Sequence, residues 1–142
     1  MFFDGAYTKE GVGAGVFLVP PVGEMVTIAH KIQFETTNNV VEYEALILGI
    51  ESTKKMGVIN ISAFGDSELV EQQIKQQYQC RHPRMRSYRN YVWDMVNNLF
   101  DAFNITSIPR EENSESYALT IDESTFKPPL VLKLIHEVDF RY

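Results

Sequence analysis

The sequence predicts an α/β domain built on a mixed sheet with flanking helices. Residues 1–35 carry three runs rich in β-branched and aromatic residues, MFFDGAY, GVGAGVFLV and MVTIAHKIQF, separated by the turn-forming pieces TKEG and PPVGE. Such short turns make consecutive strands antiparallel, so the three form a meander. A helical stretch then precedes a further strand-like run, NISAFGD. A helical crossover lets that fourth strand lie parallel to the first, and the order reached from the residues is 3-2-1-4.

After the polar break at residues 36–39, Tyr43, Leu46, Ile47 and Ile50 fall at i, i+3, i+4 and i+7, the pattern of an amphipathic helix. Asn38 or Asn39 is its expected N-cap and Gly57 its stop. The run SELVEQQIKQQY predicts a second helix, capped by Ser67 or Asp66. Pro83 opens a third, whose stripe of Tyr88, Val92, Met95, Val96 and Leu99 runs to about Asp101. FNITSIP reads as a fifth strand ended by Pro109, and a short helix is expected over residues 113–120. The last stretch, FKPPLVLKLIHEVDFRY, breaks at Pro128 and Pro129 before an apolar segment that suits a strand or a short helix. Residues 1–120 are therefore expected to form the domain, and residues 121–142 a C-terminal linker or docking segment.

The 142 residues are 44% hydrophobic and 23% charged, with 8 Gly and 6 Pro, which fits one globular domain and excludes disordered or collagen-like chains. No stretch approaches the ~18 apolar residues of a membrane span, and the opening MFFDGAYTKE lacks the pattern of a secretory signal. The lone cysteine, Cys80, can form neither an internal disulfide nor a cysteine-based zinc site, so an intracellular location is expected. A net charge of −6 argues against a protein that coats nucleic acid through bulk charge. Yet no acidic residue occurs from Gln72 through Trp93, where Lys75, Arg81, Arg84, Arg86 and Arg89 lie.

Asp4 sits inside the most apolar strand, where a carboxylate must be paired, protonated or bound to a metal. Asp66 ends the strand placed beside strand 1; alone it reads equally as a helix cap. Neighbouring strands would bring both acids to one point, and two such carboxylates repel unless a divalent cation lies between them. A third acid should come from the first helix, but Glu42 and Glu44 flank its apolar stripe on opposite borders and periodicity does not choose between them.

The set FDGA, GVGAGVFL, TTNNVVEYEALILGI, FGDSELV and IPREEN, in this order and spacing, resembles the RNase H-like domain. It is most similar to the archaeal-type RNase H domains of plant long-terminal-repeat retrotransposon polyproteins. The resemblance runs from about Phe2 to Leu119. It implies a five-stranded mixed sheet of order 3-2-1-4-5, supplying the place of strand 5, and hydrolysis of the RNA strand of an RNA/DNA hybrid with two Mg²⁺ ions, Mn²⁺ being a substitute. It further implies Asp4, Glu42 and Asp66 as catalytic metal ligands, choosing Glu42 over Glu44. Gly5 and the Thr37, Asn38, Asn39 segment would meet the hybrid. The other domains of a retroelement polyprotein would be its partners, and its place the cytoplasm, a virus-like particle or the nucleus. A chain that starts almost at strand 1 is expected to be a domain excised from a longer protein.

Two features lie beside this pattern. Where the family's last helix carries a fourth acid, this chain has Tyr117, a phenol with a pKa near ~10 and a poor Mg²⁺ ligand. The expected result is weaker binding of one metal ion and reduced activity, or a degenerate module that binds nucleic acid or connects polyprotein domains. Arg86, Arg89 and Trp93, spaced i, i+3, i+7 away from the apolar stripe, form a cationic and aromatic strip suited to a phosphate backbone, or else a solvated face with Trp93 partly tucked into the core.

Overall fold

The structure, a computed structural model, describes residues 1–8, 11–20, 22–32, 37–75, 80–113, 131–132 and 137–138. The meander forms as β1 (Phe2–Thr8), β2 (Gly11–Leu18) and β3 (Val26–Ile32), antiparallel throughout. Helix α1 (Asn38–Lys55) leads to β4 (Asn60–Gly65), which lies parallel to β1. Helices α2 (Glu68–Ile74) and α3 (Pro83–Leu99) precede β5 (Ala102–Ser107), parallel to β4. The five strands run in the order 3-2-1-4-5, as expected. Beyond them, β6 (Val131–Leu132) and β7 (Glu137–Val138) both pair parallel to the outer edge of β3.

The caps decide where the helices begin. Thr37, rather than Asn38 or Asn39, caps α1: its backbone is extended and its Oγ1 accepts from the Val40 N–H at 3.4 Å. This leaves both asparagines in the first turn. Gly57, with φ +79°, lets the chain turn back toward β4 just beyond the end of α1. Met85 joins Tyr88, Val92 and Met95 on the buried face of α3, whereas Leu99, expected there, is exposed at the end of the helix. After β5 the chain is helical from residue 110, three residues earlier than expected, and the Asn113 N–H closes the turn on the Pro109 carbonyl at 3.1 Å.

Helix α1 departs most from its expected character. It lies over β1 and β2 and is covered in turn by α2 and α3. Every residue from Val40 to Ile50 is buried, so α1 is a central helix rather than an amphipathic one. Its apolar side chains, with Phe3, Val16, Ala63, Val70, Tyr88, Val92 and Ile105, make one continuous core. Burial on all sides forces its polar side chains to find partners within the protein. Thr53 donates to the Gly49 and Ile50 carbonyls, and the Tyr43 hydroxyl donates to Gln73 Oε1 at 2.7 Å. Glu44 Oε2 accepts from the Tyr88 hydroxyl at 2.7 Å, and Tyr43 and Tyr88 stack with centroids 5.7 Å apart.

Candidate active site

Strand register brings the first two acids together. Phe2 pairs with Phe64 across the parallel β1–β4 boundary. Two residues further on, Asp4 and Asp66 reach the same height, and the period of two puts Asp4 back on the face of Phe2. The cap question at the start of α2 is settled by Ser67, whose Oγ accepts from the Val70 N–H at 3.2 Å. Asp66 is thereby free of a capping role.

Glu42 reaches the same point from α1. Its Oε1 accepts from the Gly5 N–H at 3.1 Å, which fixes the carboxyl beside Asp4. Gly5 permits this approach: a Cβ there would collide with the Val41 side chain. The glycine therefore serves helix-to-strand packing as well as lining the cleft. One carboxylate oxygen each from Asp4, Glu42 and Asp66 lies within 4.8 Å of the others. Glu44, two residues from Glu42, belongs to the α1–α3 seam instead.

The protein itself satisfies the cluster only in part. Asp4 Oδ1 and Glu42 Oε2 are buried and accept no hydrogen bond. Burial, reinforced by the Asp66 carboxylate, pushes the Asp4 pKa up, against the Glu42 carboxyl, the Arg110 guanidinium and the Gly5 amide. Glu42 is pushed up to about 8, chiefly by burial and then by the charges of Asp4 and Asp66, with the Gly5 N–H opposing. Arg110 Nε contacts Asp66 Oδ2 at 3.3 Å. Three converging carboxylates, two of which keep a buried oxygen without a partner, fit a hard divalent cation.

A cleft of about 180 Å³ opens over the cluster, lined by Gly5, Asn38, Asn39, Glu42, Asp66, Ser67 and Arg110. Asn38 and Asn39 therefore stand at its rim, while Thr37 acts through the cap. Asn113, buried, donates from Nδ2 to the Phe3 carbonyl at 3.4 Å and ties the turn after β5 to the peptide preceding Asp4. Arg110 was not expected at the site; it belongs with Asn113 to the IPREEN run, and only the fold shows what each reaches. Tyr117 lies outside the described residues.

The basic strip is a separate feature on α3. Arg86 donates to the Cys80 and Arg81 carbonyls at 3.2 and 2.8 Å, bracing the loop before the helix. Arg89 stacks over Trp93 at 4.2 Å from the ring centroid. The Trp93 indole N–H donates to the Ile74 carbonyl at 2.9 Å, so this ring is half-buried and fastened to the end of α2.

Residues 2–121 match the family model described as reverse transcriptase-like. Ribonuclease HI of Halobacterium salinarum is 33% identical over 120 residues, which cover 83% of this chain and 60% of that protein. The chain thus spans about 60% of the length of that curated relative. Among solved structures, RNase H1 from the same archaeon superposes with a TM-score of 0.72 at 32% identity, over 86% of this chain and 96% of that one. LC11-RNase H1, solved in complex with an RNA/DNA hybrid, gives a TM-score of 0.71 at 26% identity, over 88% and 97%.

Proposed function

The chain belongs to the reverse transcriptase-like family and carries its RNase H-like domain, and from that premise we propose that it is an RNase H-type endoribonuclease acting on the RNA strand of RNA/DNA hybrids. The observation that carries this reading is the convergence of Asp4, Glu42 and Asp66, with buried lone pairs left unpaired beneath an open cleft. A folded protein does not gather such groups for stability, since each unpaired buried oxygen costs free energy. They are retained for a ligand.

In this reading the three carboxylates would hold Mg²⁺, two ions as in the family, with Mn²⁺ able to substitute. The metal would supply activation of water and stabilisation of the leaving oxygen. The protein's own part is placement. The Gly5 amide holds the Glu42 carboxyl, the β1–β4 register holds Asp4 against Asp66, and Asn38 and Asn39 present amides at the rim to sugars and base edges of a minor groove. Arg86, Arg89 and Trp93 would receive the phosphate backbone on α3. The domain's setting is read as a retroelement polyprotein, whose neighbouring domains are its partners.

One sequence feature favours a second reading, a degenerate module that binds hybrid or connects polyprotein domains: Tyr117 stands where the family has its fourth acid. Cleavage of an end-labelled hybrid across a Mg²⁺ and Mn²⁺ titration, with Asp4→Asn as the control, separates the two. Cleavage that vanishes in the control supports the nuclease. Hybrid binding without cleavage at any metal concentration supports the module.

A further inference from the structure

The carboxylate cluster already contains one cation, Arg110. It follows Pro109 at the first turn after β5, and its Nε donates to Asp66 Oδ2 at 3.3 Å. The two partners differ in freedom: the Asp66 side chain is 8% exposed and the Arg110 side chain 77%. The acid is fixed by the protein while the guanidinium is held on one side only, with water available to solvate it if it leaves. Asp4 Oδ1 and Glu42 Oε2 meanwhile have no partner. Arg110 therefore attends to one acid of the three by direct contact.

A divalent cation drawn to these oxygens must come to rest beside a positive charge that cannot be titrated away. Two outcomes follow for that charge. It can stay and weaken the metal through repulsion, or it can give up Asp66 Oδ2 and move into solvent. Both lower the affinity of the cluster for metal relative to the same carboxylates alone. The benefit falls on the metal-free chain, where Arg110 offsets the charge of Asp66 beside two further acids.

Resting on the reading that this cluster binds a divalent cation, we propose that Arg110 is a positioning residue that serves as a resident counter-cation: it holds Asp66 in the metal-free protein and competes with the metal for Asp66 Oδ2. The Asp66 side of the cluster is then the last to fill. Metal entry and release of the Asp66–Arg110 contact are one coupled event.

The test is Mn²⁺ binding by the full chain, followed by electron paramagnetic resonance of the free ion, in the wild type and in Arg110→Met, Arg110→Lys and Asp4→Asn. Arg110→Met is expected to bind Mn²⁺ about five- to tenfold more tightly, the effect of deleting one nearby charge in a partly solvated site, and Arg110→Lys to return close to the wild type. In EDTA, Arg110→Met should melt lower than the wild type, and Mn²⁺ should raise its Tm by more. Unchanged or weaker Mn²⁺ binding in Arg110→Met, with binding that Asp4→Asn abolishes, overturns the role of Arg110 and leaves the metal site standing. Failure of the wild type and of Arg110→Met to bind Mn²⁺ overturns both.

Discussion

Glu42 and Glu44 stand two residues apart on the same buried helix and have opposite fates. Glu44 is paired with the Tyr88 hydroxyl at 2.7 Å within the α1–α3 seam. Glu42 is held by one oxygen on the Gly5 amide, while the other is buried without a partner and faces two further acids. Both carboxyls carry the cost of leaving water. Only Glu44 is repaid by the fold itself, so a buried acid in this protein is structural when its partners are complete and a candidate for chemistry when they are not.

Substitutions at the two regions should therefore separate activity from stability. Asp4→Asn is expected to lower hybrid cleavage by about 10³-fold or more, because it removes the acid shared with both other ligands, while the Tm measured in EDTA holds or rises. Tyr88→Phe should do the reverse: it removes the hydroxyl that donates to Glu44 Oε2 and lowers unfolding free energy by about 1 kcal/mol in urea titration, with cleavage changed far less. Equal loss of both properties in either variant would break the distinction.

Tyr117→Asp sharpens it further by restoring the acid that the family resemblance implies at this position. Metal binding and cleavage at low Mg²⁺ should both rise, by about tenfold, and the gain should shrink as Mg²⁺ saturates. A pH series addresses Glu42 directly. Its folded pKa, about 8, lies above the ordinary glutamate value of 4.5 that holds in the unfolded chain, so the folded metal-free chain holds the extra proton between those values. That stabilisation is complete below about pH 4.5 and is lost as pH rises toward 8. Denaturant titrations in EDTA should show stability falling over this window and the slope flattening in Glu42→Gln. The smallest effect belongs to α3: Arg89→Ala should weaken hybrid binding modestly and reduce its salt slope by about one phosphate contact.

Local chemistry made much of this legible from sequence. Short turns dictate the meander, the helical crossover dictates a parallel β4, and the acids at Asp4 and Asp66 stand out because each occupies a strand or its end. The place of strand 5 and the choice of Glu42 came from resemblance, and the reason is physical. Periodicity separates two acids on a helix only when one face meets water, and α1 is buried on every side from Val40 to Ile50. The caps were misread at α1 because three polar residues in succession can all cap; Thr37 alone has the extended backbone and the accepting hydroxyl. Arg110 was missed for another reason. Its role depends on a partner 44 residues away, and no local pattern encodes such a distance.

The pairing of β6 and β7 with β3 bears on how this domain keeps to itself. An outermost strand offers a row of backbone donors and acceptors to any extended chain it meets, including another copy. Here residues 131–132 and 137–138 occupy that row along β3. A boundary drawn before residue 131 would expose a template for strand addition at the side of the sheet remote from the acids, and colloidal behaviour would suffer before catalysis did. The tail thus acts as a selvedge, the finished margin that stops a woven sheet from growing.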